Sequence, residues 1–408
     1  MQLSLPRGDQ RFVVGMVSGG HFISHFYLLA FPPLFPFILD TLALSNTELG
    51  LIISAMMFPN LVLQLPIGQF VDRVGAKRVF VSGLFVTGLA TSIAGLAPNY
   101  PSLLVVAVVA GIGQSAFHPS DYALLSTVVD DDNEGKGFSL HTFGGFAGFA
   151  AAPVVLGGLA VLIGWRVTLM IAGTAGVLYA LVAYLTLDTV YLDRIEQQDD
   201  ESSESFLDEI RTILDSDLVM LFVFFMLLFM AGTGIQTFTT VFLVSEYSLS
   251  ETAGNSVLTT YFALSAIGIL LGGVFADRFD IHSIIGGALT IAALVSVVLA
   301  VRVFPATLTV ASVGFGIVGF ATGMIRPSRD SLVNLHSPPD SSGRSFGFVF
   351  SGGSLGGFVS PALLGYVTDT LTIEIAFVGV GVFFLACTTL VLWMRRMQHR
   401  VEPTPSPA

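Results

Sequence analysis

The chain has 408 residues, of which 53% are hydrophobic and 11% charged, and it carries a formal net charge of −12. A soluble domain is less apolar and more highly charged than this. The composition therefore excludes a soluble domain and indicates a membrane protein, whose solvent is lipid. The single cysteine, Cys387, excludes an internal disulfide and any multi-cysteine metal site.

Apolar runs of about 20 residues or more recur along the whole chain, and each is long enough to cross a hydrocarbon core of roughly 30 Å as a helix. The runs cover residues 12–39, 47–70, 78–97, 101–126, 137–163, 166–188, 218–245, 252–275, 283–304, 306–331, 344–370 and 373–395. They lack the alternation of apolar and polar residues that strands of a membrane barrel show. The sequence therefore predicts an all-α polytopic membrane protein with twelve transmembrane helices. The first run is too long for a signal peptide, so we expect it to remain in the chain.

The basic residues predict the orientation in the membrane. Of the seventeen lysines and arginines, fifteen lie in the termini, in the connections that follow the even-numbered spans, or at the helix ends beside them. Only Arg166 and Arg302 fall on the other side. Because positive charge marks the cytoplasmic face, we expect a multi-pass protein of the cell membrane with both termini in the cytoplasm.

The acidic residues cluster outside the spans, at 130–134 and 193–217. The excess of acidic residues has two interpretations. It suits a protein that meets high salt, where repulsion between its negative charges is screened, or it belongs to an ordinary solubilising linker. The predicted organisation is an N-terminal six-helix bundle at 1–188, an acidic cytoplasmic linker at 189–217, a C-terminal six-helix bundle at 218–397 and a cytoplasmic tail at 398–408. Within the linker, the apolar spacing of residues 205–214 predicts an interfacial amphipathic helix.

The chain contains an internal repeat. The pattern Gly68-x-x-x-Asp72-Arg73 recurs as Gly273-x-x-x-Asp277-Arg278 at the end of the second span of each half. In a second register, HPS at 118–120 matches RPS at 326–328, and glycines and prolines of the fifth and eleventh spans align. Two homologous six-helix halves are the symmetry expected of a secondary transporter, with a solute site near the midplane between them.

The stretch 68–78 resembles the signature loop of the major facilitator superfamily, G-x-x-x-D-R-x-G-x-R/K-R/K. The matching residues are Gly68, Asp72, Arg73, Gly75, Lys77 and Arg78. The phrase FHPS at 117–120 also resembles a stretch of the fosmidomycin-resistance-like efflux branch. The superfamily resemblance implies two bundles that rock around a central site, with this loop closing the cytoplasmic side of the outward-open state.

The charges of the loop fit such a gate. We expect Asp72 to lie against the positive N-terminal end of the eleventh helix near Gly343. Arg73 is expected to pair with an acidic side chain, and the candidates are Asp130, Asp131 and Glu134. The alternative is that the loop is only a topology-setting positive cluster. In the second copy Asp277 and Arg278 keep the charges, but the glycine and the basic residues that follow are replaced, so the second copy departs from the gate pattern.

The fifth span carries a frame of small residues that resembles the glycine–proline signature of superfamily antiporters. It consists of Gly144, Gly145, Gly148, Ala152, Pro153, Gly157 and Gly158. Small residues spaced by about four positions let helices approach closely, and a proline bends the helix. Close packing is the favoured interpretation over a role in antiport.

Polar and ionisable side chains inside spans are costly, so they indicate the solute pathway. The candidate solute-binding residues are His21 and His25 in the first span, His118 in the fourth, Gln236 in the seventh and Arg326 in the tenth. The resemblance implies that these four helices line the cavity. His118 and Arg326 hold equivalent repeat positions, which predicts that they lie on opposite walls. An arginine facing a titratable histidine favours an anionic or carboxylate-bearing solute.

Other ionisable residues of these spans have two interpretations each. His118 and Asp121 share a face of the fourth span and are predicted to couple proton movement, although Asp121 alternatively pairs with a basic group near the loop. Arg329 and Asp330 form either an interfacial ion pair or solute contacts. The two histidines of the first span have the spacing of metal ligands on a helix, but no third ligand lies nearby in the sequence, so pore lining is favoured. No metal and no other cofactor is predicted.

The sequence thus predicts a secondary active transporter of a small organic solute that works by alternating access. Protons are the expected coupling ion, and export is favoured over import. We expect a monomer in the lipid bilayer with no enzymatic activity and no nucleic-acid partner. The alternatives are an uptake symporter of an organic anion and a non-transporting receptor or scaffold on the same fold, although a scaffold has no reason to keep Arg326 at membrane depth.

Overall fold

The structure is a computed structural model, and it describes residues 7–129, 134–187, 216–338 and 342–401. These residues form α-helices and no strands. In chain order the helices are α1 (Arg7–Leu28), α2 (Phe35–Leu42), α3 (Asn46–Val74), α4 (Ala76–Ala94), α5 (Tyr100–Gln114), α6 (Phe117–Val128), α7 (Glu134–Ile163), α8 (Trp165–Thr186), α9 (Ser216–Glu246), α10 (Glu251–Ala276), α11 (Ile281–Ala300), α12 (Leu308–His336), α13 (Ser342–Thr370) and α14 (Ile373–Val401). Within the described residues, eleven helical stretches are long and apolar enough to cross a membrane, and α1 with α2 forms a twelfth. The all-α polytopic fold is therefore confirmed.

Two of the predicted spans are broken helices. In the first, a 3₁₀ turn at Pro32–Leu34 separates α1 from α2, and the two helices are bent by 42°. Pro32 and Pro33 cannot donate a backbone hydrogen bond, so the α-helical ladder is interrupted there. The buried turn packs against α7 and α9, and the carbonyl of Pro33 accepts a hydrogen bond from the Asn255 side chain at 3.0 Å. The fourth span is broken between α5 and α6.

The two halves, α1–α8 and α9–α14, meet along two helix pairs, α3 with α13 and α7 with α10. In the first pair Ser54 donates to the carbonyl of Phe358 at 2.7 Å. In the second, Thr259 donates to the carbonyl of Ala150 at 3.0 Å. Gly50 allows the close approach of α3 to α13, because a Cβ at that position would overlap with the carbonyl of Pro361. The predicted interfacial helix at 205–214 and most of the acidic linker lie outside the described residues.

All of these contacts between the halves lie toward one face of the molecule. We call it the distal face, because α1 begins and α14 ends at the other face, the terminal face. Arg166 and Arg302, the two basic residues that break the charge pattern, both lie at the distal face. Arg166 donates to the carbonyl of Ala97, and Arg302 forms ion pairs with Glu246 at 2.7 Å and Glu374 at 3.0 Å. The hydrogen bonds between the halves described above therefore join them at the distal face.

Candidate functional site

Five ionisable side chains meet in the N-terminal half, and we call them the histidine cluster. They are His21 and His25 on α1, His118 and Asp121 on α6, and His141 on α7. The two residues of α1 are four apart and so share one helix face. His118 lies in the first turn of α6, just after the break in the fourth span, and its side chain is exposed. His21, Asp121 and His141 are buried.

Direct contacts connect most of this cluster. Nδ1 of His21 lies 2.8 Å from the backbone carbonyl of His141, and Nε2 of His21 lies 3.0 Å from Nε2 of His25. The rings of His21 and His141 stack with centroids 3.8 Å apart. Nε2 of His141 lies 2.9 Å from a carboxylate oxygen of Asp121. The ring of His118 is 5.5 Å from that of His21.

These contacts fix the positions of the imidazole protons. A carbonyl oxygen only accepts, so neutral His21 carries its proton on Nδ1 and presents a lone pair at Nε2. His25 must then donate from Nε2, which leaves its Nδ1 as a lone pair. That Nδ1 atom is buried and has no hydrogen-bond partner among the described residues. Gly145 lies beside it, because a Cβ there would come within 2.7 Å of His25 Nδ1.

The cluster also has the composition of a metal site. The ligand atoms of His21, His25 and His118 all lie within 4.8 Å of one another, and so do those of His21, Asp121 and His141. His21 belongs to both groups, and its bond to the His141 carbonyl is the second contact that metal-bound imidazoles commonly make. The 3.0 Å separation of the Nε2 atoms of His21 and His25 is equally that of a direct hydrogen bond.

The C-terminal half supplies the second part of the site, which we call the arginine pocket. Gln236 on α9, Tyr261 on α10, and Thr322, Arg326 and Arg329 on α12 line a cavity of about 80 Å³. The structure therefore brings Gln236 and Arg326 together, as the sequence analysis expects. No described carboxylate forms an ion pair with Arg326. Its guanidinium lies 4.8 Å from the centre of the Phe146 ring, a cation–π contact.

The neighbouring arginine has a different environment. Arg329 donates from Nε and Nη2 to one carboxylate oxygen of Asp330, at 2.9 and 2.7 Å. Its guanidinium also lies 4.8 Å from the Phe225 ring. Of the two interpretations that the sequence leaves open for this pair, the ion pair is the one present in the structure. Arg326 is thus the cation of the pocket whose charge is not balanced by a salt bridge with a described residue.

Aromatic residues of α7 separate the histidine cluster from the arginine pocket. Phe146 contacts Arg326, whereas Phe149 lies 4.3 Å from the His25 ring. Phe149 also stacks on Phe262 of the other half, with ring centroids 5.0 Å apart. The sequence analysis predicts that His118 and Arg326 lie on opposite walls of one cavity. The cavity at Arg326 is lined by residues of the C-terminal half, so a cavity shared with His118 stays a prediction.

The predicted gate residues lie at the terminal face. Gly75 has φ of 97°, a value that favours glycine, and it forms the turn between α3 and α4. Asp72 and Arg73 are exposed and form no ion pair with a described residue, and neither do Asp277 and Arg278 in the second copy. A Cβ at Gly68 would meet open space. The predicted partners Asp130 and Asp131, and the side chain of Glu134, lie outside the described residues.

Two basic residues of the same loop contact their own half of the molecule. Lys77 is buried, donates to the carbonyl of Leu187 at the end of α8, and lies 5.5 Å from the centre of the Tyr184 ring. Arg78 is exposed and donates to the carbonyl of Val74 at 3.3 Å. Lys77 therefore fastens α4 to α8 in this conformation, a role that the gate hypothesis does not include.

Sequence reasoning missed His141, Phe146 and Tyr261. It placed solute contacts on the first, fourth, seventh and tenth spans, whereas these three residues lie on the fifth and eighth. For His141 a signal was available, because an ionisable residue inside an apolar run is unusual. For the two aromatic residues none was available, since such residues are common throughout the spans.

Comparison with known proteins agrees with the fold. The family model of the Major Facilitator Superfamily matches residues 17–254 and 221–408. The fosmidomycin resistance protein of Escherichia coli is 21% identical, covering 90% of this chain and 88% of its own length. A probable nitrate transporter, NarT, of Staphylococcus aureus is 23% identical, covering 86% of this chain and 87% of its own length.

Among solved structures, a bacterial homologue of the human lysosomal transporter Spinster, in an inward-facing and unoccupied conformation, superposes with a TM-score of 0.84. It is 17% identical, and the alignment covers 98% of this chain and 100% of that chain. At this identity the likeness shows the fold, with its two bundles. The family match extends over both halves of the chain and adds the sequence signature to that fold. This chain belongs to the major facilitator superfamily of membrane transporters.

Proposed function

We propose that this protein is a proton-coupled secondary transporter that carries a small organic anion across the cell membrane by alternating access. The observation that carries the proposal is Arg326, a half-buried cation in a cavity between spans, without an ion pair to any described residue. Unbalanced charge at this depth is retained only where function needs it. The similarity to a probable nitrate transporter supports an anionic solute.

The histidine cluster supplies the proton site of this proposal. His118 is exposed and Asp121 is buried, so we propose that a proton from the solvent reaches the cluster through His118. We infer that the conformation joined at the distal face is one of the two states of the cycle, the one open at the terminal face. With the termini in the cytoplasm of the cell, as the basic residues predict, this state is open to the cytoplasm.

Two directions of transport have support. Export, favoured by the sequence, is supported by the similarity of almost the full chain to a fosmidomycin resistance protein. Uptake symport of an anion is supported by Arg326, a cation that lines the cavity without an ion pair to a described residue. In either direction, Asp72 and Arg73 are proposed to close the terminal face in the opposite state, and the protein acts as a monomer without catalytic chemistry.

The test is counterflow in proteoliposomes, in which labelled anion enters vesicles preloaded with the same unlabelled anion. Nitrate, D-gluconate and benzoate serve as probes of increasing size. Arg326→Gln is expected to weaken binding by about ten- to one-hundredfold, because a hydrogen bond to a charged group is lost. Arg302→Gln, which removes an arginine from the distal face of the same half, serves as the control. Unaltered counterflow in the Arg326 variant would exclude the arginine pocket as the anion site.

Absence of counterflow for every anion, in a protein that reconstitutes with its native orientation and helicity, would favour the receptor alternative. The orientation itself is tested by attaching a protease site after Val401 and measuring cleavage in sealed right-side-out vesicles. Protection from protease added outside is expected, and cleavage would reverse the proposed orientation.

A further inference from the structure

Three rings of the histidine cluster stand at steep angles to one another. The planes of the His21 and His25 rings are inclined by 65°, those of His21 and His118 by 72°, and those of His25 and His118 by 85°. The lone pair of a neutral imidazole lies in the plane of its ring, and three planes at such angles meet at a single point. One ion can therefore lie in all three ring planes, as coordination requires.

The nitrogen atoms of these rings are close enough to share an ion. One nitrogen of each ring lies within 4.8 Å of one nitrogen of each of the other two. The Nε2 atoms of His21 and His25 are 3.0 Å apart. Two nitrogens about 2.1 Å from one ion are about 3.0 Å apart when they bind at right angles, and about 3.4 Å apart in a tetrahedral site. Right-angled coordination by the two rings of α1 therefore needs no movement, and the third ligand, His118, has an exposed side chain that can move toward the ion.

The surroundings of His21 prepare its Nε2 atom for coordination. Its Nδ1 atom donates to the backbone carbonyl of His141 at 2.8 Å, so the lone pair of the neutral ring is at Nε2. Metal-bound imidazoles commonly make such a bond with their other nitrogen, which fixes the orientation of the ring. A carboxylate oxygen of Asp121 lies within 4.8 Å of a nitrogen of His21, and its negative charge compensates part of the charge of a divalent cation.

A second set of ligand atoms, from His21, Asp121 and His141, is equally compact, but two of its rings have the wrong orientation. The rings of His21 and His141 are stacked, with an angle of 10° between their planes and centroids 3.8 Å apart. Lone pairs in two nearly parallel planes do not converge on one ion. Nε2 of His141 also lies 2.9 Å from Asp121, where it makes a hydrogen bond. The buried Nδ1 atoms of His25 and His141 both lack a partner among the described residues, so the ring angles decide between the two sets.

A hydrogen bond between His21 and His25 explains the contact of these two rings, but it gives no role to the third ring beside them. The burial of the three side chains is graded, because His21 is buried, His25 is half-buried and His118 is exposed. An ion from the solvent therefore reaches the two rings of α1 by way of His118. Imidazole nitrogens are ligands for transition metals such as zinc, copper and nickel, whereas calcium and magnesium prefer oxygen.

We propose that His21, His25 and His118 form a binding site for a divalent transition-metal ion such as Co²⁺, Ni²⁺ or Zn²⁺. The ion connects α1 to the first turn of α6, directly after the break in the fourth span. Both helices belong to the N-terminal half, so the ion stiffens that half without fastening it to the other. The sequence offers no third ligand near the two histidines of α1, and the fold supplies one from α6. This site goes beyond the proposed function, since ion binding requires no transported anion.

Binding of Co²⁺ without any solute is the first test. Protein without a polyhistidine tag is treated with EDTA, transferred to lipid nanodiscs at about pH 8, where an ordinary imidazole is neutral, and titrated while the cobalt absorption spectrum is recorded. The parent protein is expected to bind one ion per chain. His118→Gln is expected to weaken binding at least about tenfold, because one of the three ligands is lost. His336→Gln, which removes an imidazole from the other half, is the control and is expected to leave binding unchanged.

His141→Gln distinguishes the two sets of ligands. This variant keeps a side-chain N–H donor for Asp121 and the backbone carbonyl that accepts from His21, so it is expected to bind Co²⁺ with the spectrum of the parent protein. Loss of binding in His141→Gln, with binding retained in His118→Gln, would assign the ion to the second set and overturn the proposal. X-ray absorption of the Zn²⁺-loaded parent protein counts the ligands directly. Three imidazoles are expected, and fewer than three would also overturn the proposal.

Thermal unfolding provides a measurement that does not depend on the cobalt spectrum. A ligand that binds the folded state stabilises it, so saturating Ni²⁺ is expected to raise the unfolding temperature of the parent protein and of His336→Gln, but not of His118→Gln. Equal shifts in all three proteins, or equal Co²⁺ affinity in all three, would show an adventitious ion only and overturn the proposal. Absence of metal binding would overturn it and leave anion transport standing, whereas absence of counterflow would overturn anion transport and leave the metal site standing.

Discussion

Asp369 accepts two hydrogen bonds from Thr47, from its amide at 2.7 Å and from its hydroxyl at 2.6 Å, although the two residues are 322 positions apart. Asn46 donates to the other carboxylate oxygen from its amide and its side chain. The C-terminal end of α13 thereby caps the N-terminal end of α3 at the distal face. In the antiparallel pair of α3 and α13, Asp72 has the corresponding place at the terminal face, where the sequence predicts a cap on α13.

Asp369→Asn is expected to loosen the distal closure, because an amide cannot accept all the bonds that the carboxylate accepts. Loss of charged hydrogen bonds worth about 1.5–3 kcal/mol raises the population of the distal-open state by about tenfold or more. Double electron–electron resonance measures the distance between spin labels attached at Pro98→Cys and Ala306→Cys, with Cys387 replaced by serine. A larger population of the distal-open state is expected to lengthen this distance.

The matched control for that experiment is Asp280→Asn. Asp280 also caps a helix, accepting from the amide and hydroxyl of Ser283 at 2.9 and 2.8 Å, but both residues belong to the same half. It is expected to leave the distance between the spin labels unchanged. Equal distance distributions in Asp369→Asn and the parent protein would contradict a closing role for Asp369.

Asp280 predicts an acid-dependent loss of stability. Burial acts to raise the pKa of Asp280, but the hydrogen bonds from Ser283 and His282 and the charge of Arg395 together outweigh it and lower the pKa below its ordinary value. A lowered folded-state pKa gives stability that is present above the unfolded-state pKa, about 3.9, and is lost as pH falls through the folded-state pKa. Thermal unfolding measured in detergent from about pH 6 to about pH 2.5 is expected to show this loss. Asp280→Asn keeps a side-chain oxygen that caps the helix but removes the titrating carboxylate, so it is expected to flatten this part of the pH profile.

The glycines of α7 predict two opposite effects of alanine. A Cβ at Gly148 would overlap with the carbonyl of Phe22 on α1, whereas a Cβ at Gly158 meets nothing within 4 Å. Gly148→Ala is expected to destabilise the protein by about 1–3 kcal/mol. Gly158→Ala is expected to be neutral or to stabilise it by up to about 1 kcal/mol. Thermal unfolding of the two variants in parallel checks this, and equal effects would contradict the close-packing explanation of the frame.

Lys77 predicts a stability effect inside the signature loop. Replacing it by methionine leaves the Leu187 carbonyl without its donor, which is expected to lower the free energy of unfolding by about 1–3 kcal/mol. Arg78→Met is the control, because Arg78 is exposed and such changes are usually within about 0.5 kcal/mol. If both variants unfold at the same temperature as the parent protein, the anchoring role of Lys77 is wrong.

Asp72 predicts a purely kinetic effect. Because its carboxylate is exposed here and forms no ion pair with a described residue, Asp72→Asn is expected to leave anion binding and stability of this conformation unchanged. Exchange in counterflow slows, since closure of the terminal face loses a charge–helix contact of roughly 1 kcal/mol. Asp277→Asn, at the equivalent repeat position, is the control and is expected to leave the rate unchanged. If Asp277→Asn slowed exchange and Asp72→Asn did not, the gate would be assigned to Asp277 and not to Asp72.

The sequence by itself determined the spans, indicated the two halves and singled out Arg326, because each depends on local composition or on self-similarity along the chain. Long apolar runs can only be helices in lipid, and a charged residue within one is conspicuous. Broken spans were less predictable: the proline pair at 32–33 marks one break, but no comparable pair marks the break between α5 and α6.

Only the tertiary structure decided which polar residues meet. His141 joins Asp121 to the histidines of α1, and Asp369 reaches Thr47, through pairings of helices that are distant in the chain. Such pairings depend on how the helices pack and on which small residues let them approach, and no periodicity within a single helix records them. Tertiary packing therefore divides the predicted site into a histidine cluster and an arginine pocket, one in each half.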